Sequence, residues 1–158
     1  MHLKWLGQSS TPRRCSCGVA VQLGPNWAYN QEAFHHLLTL ERERCRRWGR
    51  HFLLLLVDAE ATSGGSIPWE PWLARRLFWT LSRCLRESDF VGWYVDHRIA
   101  GAVLTELGEE PRADVAGFVA GRVNNALRPV GQLLFAGRLR VRVSLDPKHL
   151  SGGLLCSG

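Results

Sequence analysis

Arginine supplies almost all of the positive charge of this 158-residue sequence. The formal net charge is +6, and Lys4 and Lys148 are the only lysines. A guanidinium group binds planar oxyanions through paired N–H groups and stacks on aromatic or purine faces better than an ammonium group does. The balance therefore suits a phosphate-bearing or acidic partner. A GC-rich bacterial genome, which substitutes arginine for lysine, would give the same composition.

Residue sets for other chemistries are incomplete. No Ser/His/Asp set can be assembled, and the stretch Ser63-Gly64-Gly65-Ser66 lacks the lysine of a phosphate-binding loop. His97 has no acid partner that the sequence can name, so we predict a solvated turn residue. No nucleic-acid-binding motif is present, which argues against a nucleic acid polymer as partner.

The cysteines and the hydropathy pattern bear on location. Cys15 and Cys17 are too close in sequence for a zinc knuckle, and no second pair completes one. Cys45 and Cys84 fall on apolar helix positions, which predicts buried thiols in a reducing cytoplasm. No apolar run is long enough to span a bilayer, and no secretory signal is visible. We expect a cytoplasmic protein without direct membrane insertion.

The candidate chemistry lies around a predicted helix, corner and hairpin. Two runs rich in aromatic and branched residues, 90–95 and 99–104, flank the polar centre 96–98, as in a β-hairpin. Upstream, apolar residues at helical spacing predict a helix over 69–85. The residues between helix and hairpin, Arg86-Glu87-Ser88-Asp89, form the corner.

The remaining elements complete an α+β pattern. A strand at 19–23, a helix from the N-cap Asn30 to Gly49, a strand at 51–58, a loop at 59–68, a helix opened by Pro111, and two extended runs at 132–135 and 139–145 are predicted. Tryptophans on helical stripes should pack in the core: Trp48, Trp69, Trp72 and Trp79. The helix opened by Pro111 should have one apolar face, formed by Val115, Phe118, Val119, Val123 and Leu127. Trp93, in the first hairpin strand, would mark an interface if its sheet face is open.

This arrangement resembles GGDEF domains, the diguanylate cyclase fold of bacterial signalling. In that family a helix ends in R-x-x-D, five residues follow, and the GGDEF signature forms the hairpin turn. Here Arg86-Glu87-Ser88-Asp89 is followed by Phe90-Val91-Gly92-Trp93-Tyr94 and then Val95-Asp96-His97-Arg98-Ile99. The spacing is kept, and the signature is lost.

The resemblance spans residues 30–147 and implies a fold. We expect a ferredoxin-like or palm-type β-α-β-β-α-β core, with an antiparallel sheet, helices packed on it and a leading helix. Residues 1–29 would be a loose N-terminal arm or linker, residues 30–147 the degenerate GGDEF-like domain, and residues 148–158 a flexible tail.

The resemblance also implies which chemistry is lost. Cyclases of this family hold two divalent cations over the phosphates of GTP, and Asp58 and Glu60 match the strand-end acids that would take part. The signature carboxylate falls on Arg98, and the two signature glycines on Val95 and Asp96. The region between strand and corner also lacks the phenylalanine-lysine and asparagine-aspartate pairs that seat the base. We therefore predict a protein that is not an enzyme, with a vestigial metal site and no cofactor.

The R-x-x-D corner implies a ligand instead. In the family it binds the product, cyclic di-GMP, as an intercalated dimer. Arg86 would grip a guanine edge or a phosphate, Asp89 would accept hydrogen bonds from a guanine, and Arg83 would complete the pocket. Further candidates lie on the first helix: Arg44, Arg46, Arg47 and Arg50. The alternative is that Arg86 and Asp89 form only a salt bridge at the helix end.

Our interpretation is a catalytically inactive GGDEF-like regulatory domain that acts as a cyclic di-GMP receptor. By resemblance, its output would be a protein partner in exopolysaccharide secretion or similar envelope machinery, and a homodimer is a further candidate. The alternative is an interaction or dimerisation module that binds no nucleotide. An active diguanylate cyclase ranks last.

Overall fold

The structure, a computed structural model, describes residues 18–23, 26–107 and 113–145. Seven strands and three helices follow one another in these ranges. In chain order they are β1 (Val19–Leu23), β2 (Asn26–Tyr29), α1 (Gln31–Trp48), β3 (Leu53–Ala61), β4 (Ser66–Ile67), α2 (Pro71–Cys84), β5 (Phe90–Val95), β6 (Ile99–Leu104), α3 (Val115–Gly131) and β7 (Gly137–Leu145).

The strands form one sheet centred on β3. β6 pairs with one edge of β3 from Leu53 to Asp58, and β7 pairs with the other edge from Leu53 to Ala61, both antiparallel. β5 pairs antiparallel with β6, so the order of the core strands is β7-β3-β6-β5. This is the order of a ferredoxin-like sheet, and the predicted fold class is confirmed.

Helices cover both faces of β3, which explains its uninterrupted apolar run. Leu53, Leu55 and Val57 belong to the larger core under α2 and α3. Leu54 and Leu56 belong to the smaller core under α1. A strand buried on both faces needs no polar alternation. Each fully buried leucine contributes about 1.5–3 kcal/mol.

Two facing glycines let α1 approach the sheet closely. Gly92 of β5 pairs with Gly101 of β6, and the ring of Phe34 lies over both. A Cβ on Gly92 would lie 2.7 Å from the carbonyl oxygen of Tyr29, and a Cβ on Gly101 would lie 2.6 Å from Cζ of Phe34. Side chains at either position would push the helix away, so these glycines set its distance from the sheet.

The ends of α1 are capped as its sequence predicts. Asn30 Oδ1 accepts a hydrogen bond from the backbone N–H of Ala33 at 2.9 Å. Gly49, at the other end, has φ 62°, a left-handed conformation that glycine adopts without a steric penalty. The predicted helix from Asn30 to Gly49 and the predicted hairpin strands are confirmed.

Several predicted elements differ from the structure. β3 continues to Ala61 rather than ending at Asp58, and the predicted loop 59–68 contains β4, which folds back onto β3. Residues 132–135 are not a strand, because α3 continues to Gly131 and hydrogen-bonded turns follow it. The last sheet segment is therefore the single strand β7, which carries the predicted run 139–145.

The N-terminal part differs as well. Residues 19–23 and 26–29 of the predicted loose arm form β1 and β2 in the sheet, and only the strand at 19–23 was expected. Residues 1–17 and Pro111 lie outside the described residues, as do 146–158, where the tail was predicted. The division into arm, domain and tail stays a prediction.

Most of the tryptophan assignments were wrong. Trp69 is buried, but the helical Trp48, Trp72 and Trp79 are 64%, 54% and 50% exposed. Trp93, considered for an interface, is buried and meets the ring of Phe78 edge-on at 4.9 Å. Periodicity identified the helices, but it assigned these bulky residues to the wrong face.

The apolar stripe of α3 is confirmed except at Phe118, which is largely exposed. Among the described residues, no helix is both long enough and apolar enough to cross a membrane.

Candidate ligand-binding site

A cavity of about 800 Å³ opens beside the corner between α2 and β5. Three parts of the fold form its walls: the strand β2, the middle of α1, and the chain from the end of α2 into β5. The lining residues are Trp27, Tyr29, Leu37, Ser82, Leu85, Arg86, Glu87, Ser88, Asp89, Phe90 and Val91. Two of the three predicted ligand residues, Arg86 and Asp89, are therefore in one cavity.

The cavity lies where β2 and β5 begin. These parallel strands share a single partner pair, Tyr29 with Gly92. Trp27 lies two residues before Tyr29, and Phe90 lies two residues before Gly92. These two residues do not pair with each other, and both line the cavity. The missing pairing at the start of the two strands leaves the space that the cavity occupies.

Asp89 holds the corner in shape through the backbone. Its Oδ2 accepts a hydrogen bond from the N–H of Arg86 at 2.8 Å, and its Oδ1 accepts one from the N–H of Thr105 at 2.9 Å. The N–H of Asp89 donates to the carbonyl of Arg86 at 3.1 Å. Carboxylate bonds to N–H groups are among the stronger protein hydrogen bonds, so Asp89 joins the end of α2 to the end of β6.

Arg86 leaves its guanidinium available. The residue is exposed, and among the described residues its side chain forms neither a hydrogen bond nor an ion pair. The two residues are joined through the backbone N–H of Arg86 and not through a salt bridge to its guanidinium. A free guanidinium beside a cavity can donate two parallel N–H bonds to a phosphate or to a guanine edge.

Arg83 is placed differently from the prediction. It does not line the cavity, and its guanidinium lies over the ring of Trp79, 4.9 Å from the centroid. The other arginines that were considered do not line the cavity either: Arg44, Arg46 and Arg47 of α1, and Arg50, which follows the end of this helix.

Sequence reasoning missed two aromatic residues that line this cavity and one arginine that contacts the end of α2. Trp27 and Tyr29 reach the cavity from a segment that was predicted to be a loose arm. Their alternation around buried Ala28, just before the N-cap Asn30, is the strand signal that could have found them. Arg122 of α3 donates a hydrogen bond to the carbonyl of Cys84 at the end of α2, a tertiary contact without a local signal.

The predicted vestigial metal site lies at the far end of β5 from this cavity. Asp58 and Glu60 are on the same face of β3, where arginines of the neighbouring strand β7 meet them. Arg140 binds Asp58 at 2.5 Å and Glu60 at 3.4 Å, and Arg138 binds Glu60 at 2.9 Å. Arg142 adds a contact to Asp58 at 3.4 Å. The hydrogen bond to Asp58 is the main reason that the pKa of Arg140 is raised above its ordinary value.

This donor set does not fit a divalent cation. Magnesium needs carboxylate oxygens that are free to face it, and here the two acids already face three guanidinium groups. Among the described residues, no group of three or more histidine, cysteine, aspartate or glutamate side chains could hold a metal ion.

The hairpin tip, where the resemblance puts the signature, is fastened to its neighbours. Arg98 Nη1 donates to the carbonyl of Ser66 at 3.1 Å, and Trp69 Nε1 donates to the carbonyl of Arg98 at 3.1 Å. Asp96 and Gln31 form a reciprocal pair at the first turn of α1, with distances of 2.7 and 3.2 Å. His97, with φ 57°, is exposed in the turn, as predicted.

Comparison with known proteins places this geometry in a structural group. No protein-family model and no curated protein matches the sequence. Solved structures do match it. The fold is that of GGDEF domains.

Three structures carry this assignment. The isolated GGDEF domain of TpbB (YfiN) from Pseudomonas aeruginosa has a TM-score of 0.55 and 16% identity, over 76% of this chain and 72% of that one. The GGDEF domain of DgcB from Caulobacter crescentus, solved with c-di-GMP, has a TM-score of 0.55 and 15% identity, over 80% and 77%. The diguanylate cyclase SiaD from Pseudomonas aeruginosa, solved with its activator SiaC, has a TM-score of 0.51 and 20% identity. The match covers 75% of this chain but 45% of the SiaD chain.

Proposed function

We propose that this GGDEF-like domain is a catalytically inactive regulatory receptor that binds cyclic di-GMP at the R-x-x-D corner. The observation that carries the proposal is the cavity of about 800 Å³, in which the guanidinium of Arg86 has no partner among the residues that the structure describes. The volume lies in the range of about 300–1,000 Å³ that is usual for small-molecule sites. The GGDEF domain of DgcB was solved with the same ligand.

The charges at the cavity support a guanine nucleotide over a simple anion. Arg86 offers N–H donors to phosphate or to the Hoogsteen edge of guanine. Glu87 and Asp89 place carboxylates in the same lining, and these favour a ligand that also brings N–H donors. Guanine has such donors at N1 and N2. A bare polyanion would meet two acids and a single arginine.

The loss of cyclase activity is part of the proposal. Its support is the pairing of Asp58 and Glu60 with arginines and the fastening of Arg98 to the backbone of β4. The negative charge of Asp58 and Glu60, which would attract a cation, is already neutralised by arginines of β7: Arg138, Arg140 and Arg142. Purified protein incubated with GTP and magnesium should give no cyclic di-GMP, and measurable turnover would contradict this part.

The test of binding is a calorimetric titration of cyclic di-GMP at physiological salt, where nonspecific attraction to a basic surface is screened. Arg86→Ala should abolish binding or weaken it about 10–100-fold, as expected for the loss of a charged bidentate contact. Arg75→Ala is the matched control, because Arg75 is also an exposed arginine of the α2 region and does not line the cavity. Arg75→Ala should bind as the wild type does.

The outcomes separate specific from general attraction. Equal losses in both arginine variants would indicate that surface charge, and not the corner, holds the nucleotide. Wild-type protein that gives no heat and no thermal shift with cyclic di-GMP would refute the receptor function.

The signal would pass to a protein partner. SiaD was solved with its activator SiaC, which shows that a protein of this fold can be under the control of another. For this chain we propose a partner in an exopolysaccharide or secretion system. A cytoplasmic location belongs to the same proposal, and the reduced state of the Cys45 and Cys84 thiols is compatible with it.

A second candidate function is an interaction or dimerisation module without nucleotide. Trp72 and Trp79, two turns apart on α2, are half exposed, and Arg83 lies over Trp79. Tryptophan and arginine are enriched among the residues that dominate protein interfaces. Light scattering at increasing concentration would detect a dimer. The double variant Trp72→Glu/Trp79→Glu, which places two negative charges on this face, should make the protein monomeric. A monomer at every concentration would remove self-association through this face.

A further inference from the structure

Trp27 stands out among the residues at the corner cavity. It is 47% exposed, although its neighbour Ala28 is fully buried. It lines the cavity from β2, and Arg86 lines the same cavity from the chain between α2 and β5. No ring of another described residue packs against it.

Tyr29, the other aromatic residue of β2, has a different role. Its ring meets Phe90 edge-on, with centroids 6.5 Å apart and planes at 84°. Tyr29 also forms the only partner pair between β2 and β5. Its ring therefore takes part in the packing under α1. Of the three aromatic residues that line the cavity, Trp27, Tyr29 and Phe90, Trp27 is the most exposed.

We propose that Trp27 is a stacking platform for a purine base of the ligand, so that β2 completes the R-x-x-D site within one chain. The inference rests on the proposed function and adds a residue that sets the position of the base. The guanidinium of Arg86 would hold a phosphate or base edge, while the indole would cover a base face.

The physical basis is the cost of an exposed indole. A tryptophan buries a large apolar area when it is covered, and a planar base covers it with little loss of rotamer freedom. Stacking of a base on an aromatic side chain contributes about 1–3 kcal/mol, which is about a 5- to 150-fold change in affinity. The anchoring of β2 through Tyr29 and Ala28 holds the platform before the ligand arrives, which lowers the entropic cost of binding.

The test is a set of affinities for cyclic di-GMP, measured by calorimetry. Trp27→Ala and Trp27→Leu should each weaken binding about 10–100-fold, because neither offers a π-face. Trp27→Phe should stay within about fivefold of the wild type, because phenylalanine keeps a smaller face. Trp48→Ala is the matched control, since Trp48 is an exposed tryptophan outside the cavity, and its affinity should not change.

Two readouts separate stacking from a structural role. The leucine variant keeps an apolar side chain on β2, so its melting temperature without ligand should match that of the wild type. The salt dependence of binding should be the same in wild type and Trp27→Leu, because stacking releases no counterions. In addition, ligand quenching of tryptophan fluorescence should be smaller in Trp27→Phe than in Trp48→Ala.

The results distinguish the stacking role of Trp27 from the receptor function on which it rests. Wild-type affinity in Trp27→Leu, with binding lost in Arg86→Ala, would overturn the platform and leave the receptor intact. No binding of cyclic di-GMP by the wild type would overturn both. Binding that is lost in the leucine variant and kept in the phenylalanine variant is the result expected from stacking.

Discussion

Replacing Arg140 by alanine should destabilise the domain, because it leaves a buried carboxylate nearly alone. Asp58 is 1% exposed, and Arg140 is its nearest cationic partner at 2.5 Å. The substitution would leave Asp58 with the single contact to Arg142 at 3.4 Å. Glu60 would keep Arg138. The loss of stability therefore comes from one carboxylate, that of Asp58, which has almost no access to water.

The expected loss follows from the burial of the two partners. Removing one partner of a fully buried ion pair costs about 3–5 kcal/mol, whereas an exposed pair contributes about 0.2–1 kcal/mol. The side chain of Arg140 is 44% exposed, so water screens the pair from one side. We expect about 2 kcal/mol, or about 4–8 °C in melting temperature for a domain of this size.

Thermal unfolding followed by circular dichroism measures the effect. R138A is the matched control, because Arg138 also pairs with an acid of β3 but is largely exposed, and its loss should cost less than about 1 kcal/mol. The double variant D58N/R140A should regain part of the stability, since it no longer buries an unpaired charge. The pKa of Arg140 is raised in the folded protein, so its guanidinium is charged and stabilises the fold at any ordinary pH. This contribution to stability is lost only in strong alkali, as the pH rises past the raised pKa.

A melting temperature of R140A equal to that of the wild type would refute this reasoning. It would mean that water or another group solvates Asp58 in the folded protein. Equal losses in R138A and R140A would also contradict it, because the argument depends on the difference in burial between the two acids.

Three further substitutions or measurements test other parts of the structure. Gly92→Ala should cost about 2 kcal/mol or more in chemical denaturation, since its Cβ would lie 2.7 Å from the carbonyl oxygen of Tyr29 and 2.9 Å from the ring of Phe34. Gly121→Ala on α3, which has open space around it, should be neutral or stabilising, and equal effects would contradict the close approach of β2 and Phe34 to Gly92. Asp89→Ala should lower stability by about 1–3 kcal/mol in the same assay because two backbone N–H groups lose their acceptor, and an unchanged midpoint would mean that the corner holds without it. Burial raises the pKa of the Cys84 thiol above its ordinary value although a nearby arginine lowers it, so peptide-resolved alkylation at pH 8 should be slower in the folded than in the denatured protein; equal rates would argue against the burial.

The sequence predicted what depends on local pattern. The hairpin strands, the caps of α1 and the buried run of β3 follow from alternation, capping residues and apolar length, and each is present. The corner with Arg86 and Asp89 was found by its spacing to the hairpin. These features are determined by residues that are close together in the chain.

The rest depends on distant partners. The bonds from Asp89 to the N–H of Thr105 and from Arg140 to Asp58 join residues 16 and 82 positions apart. The alternation around Ala28 indicates that β2 is a strand, but it does not indicate where this strand lies, because a single residue pair joins it to β5. The exposed faces of Trp72 and Trp79 were missed because a helical stripe does not reveal which neighbour, if any, covers it.

The position of β7 has a consequence for the order of folding. β3 is the most apolar strand, and one of its edges is paired by β6, which follows about 40 residues later in sequence. The other edge waits for β7, which pairs Leu145 with Leu53. During synthesis, an edge of the leucine run stays unpaired until residues beyond 137 leave the ribosome, a period in which it can associate with other chains. The arginines that pair with buried Asp58 belong to β7. The pairing of β7 with β3 and the neutralisation of the Asp58 carboxylate therefore occur together, late in folding.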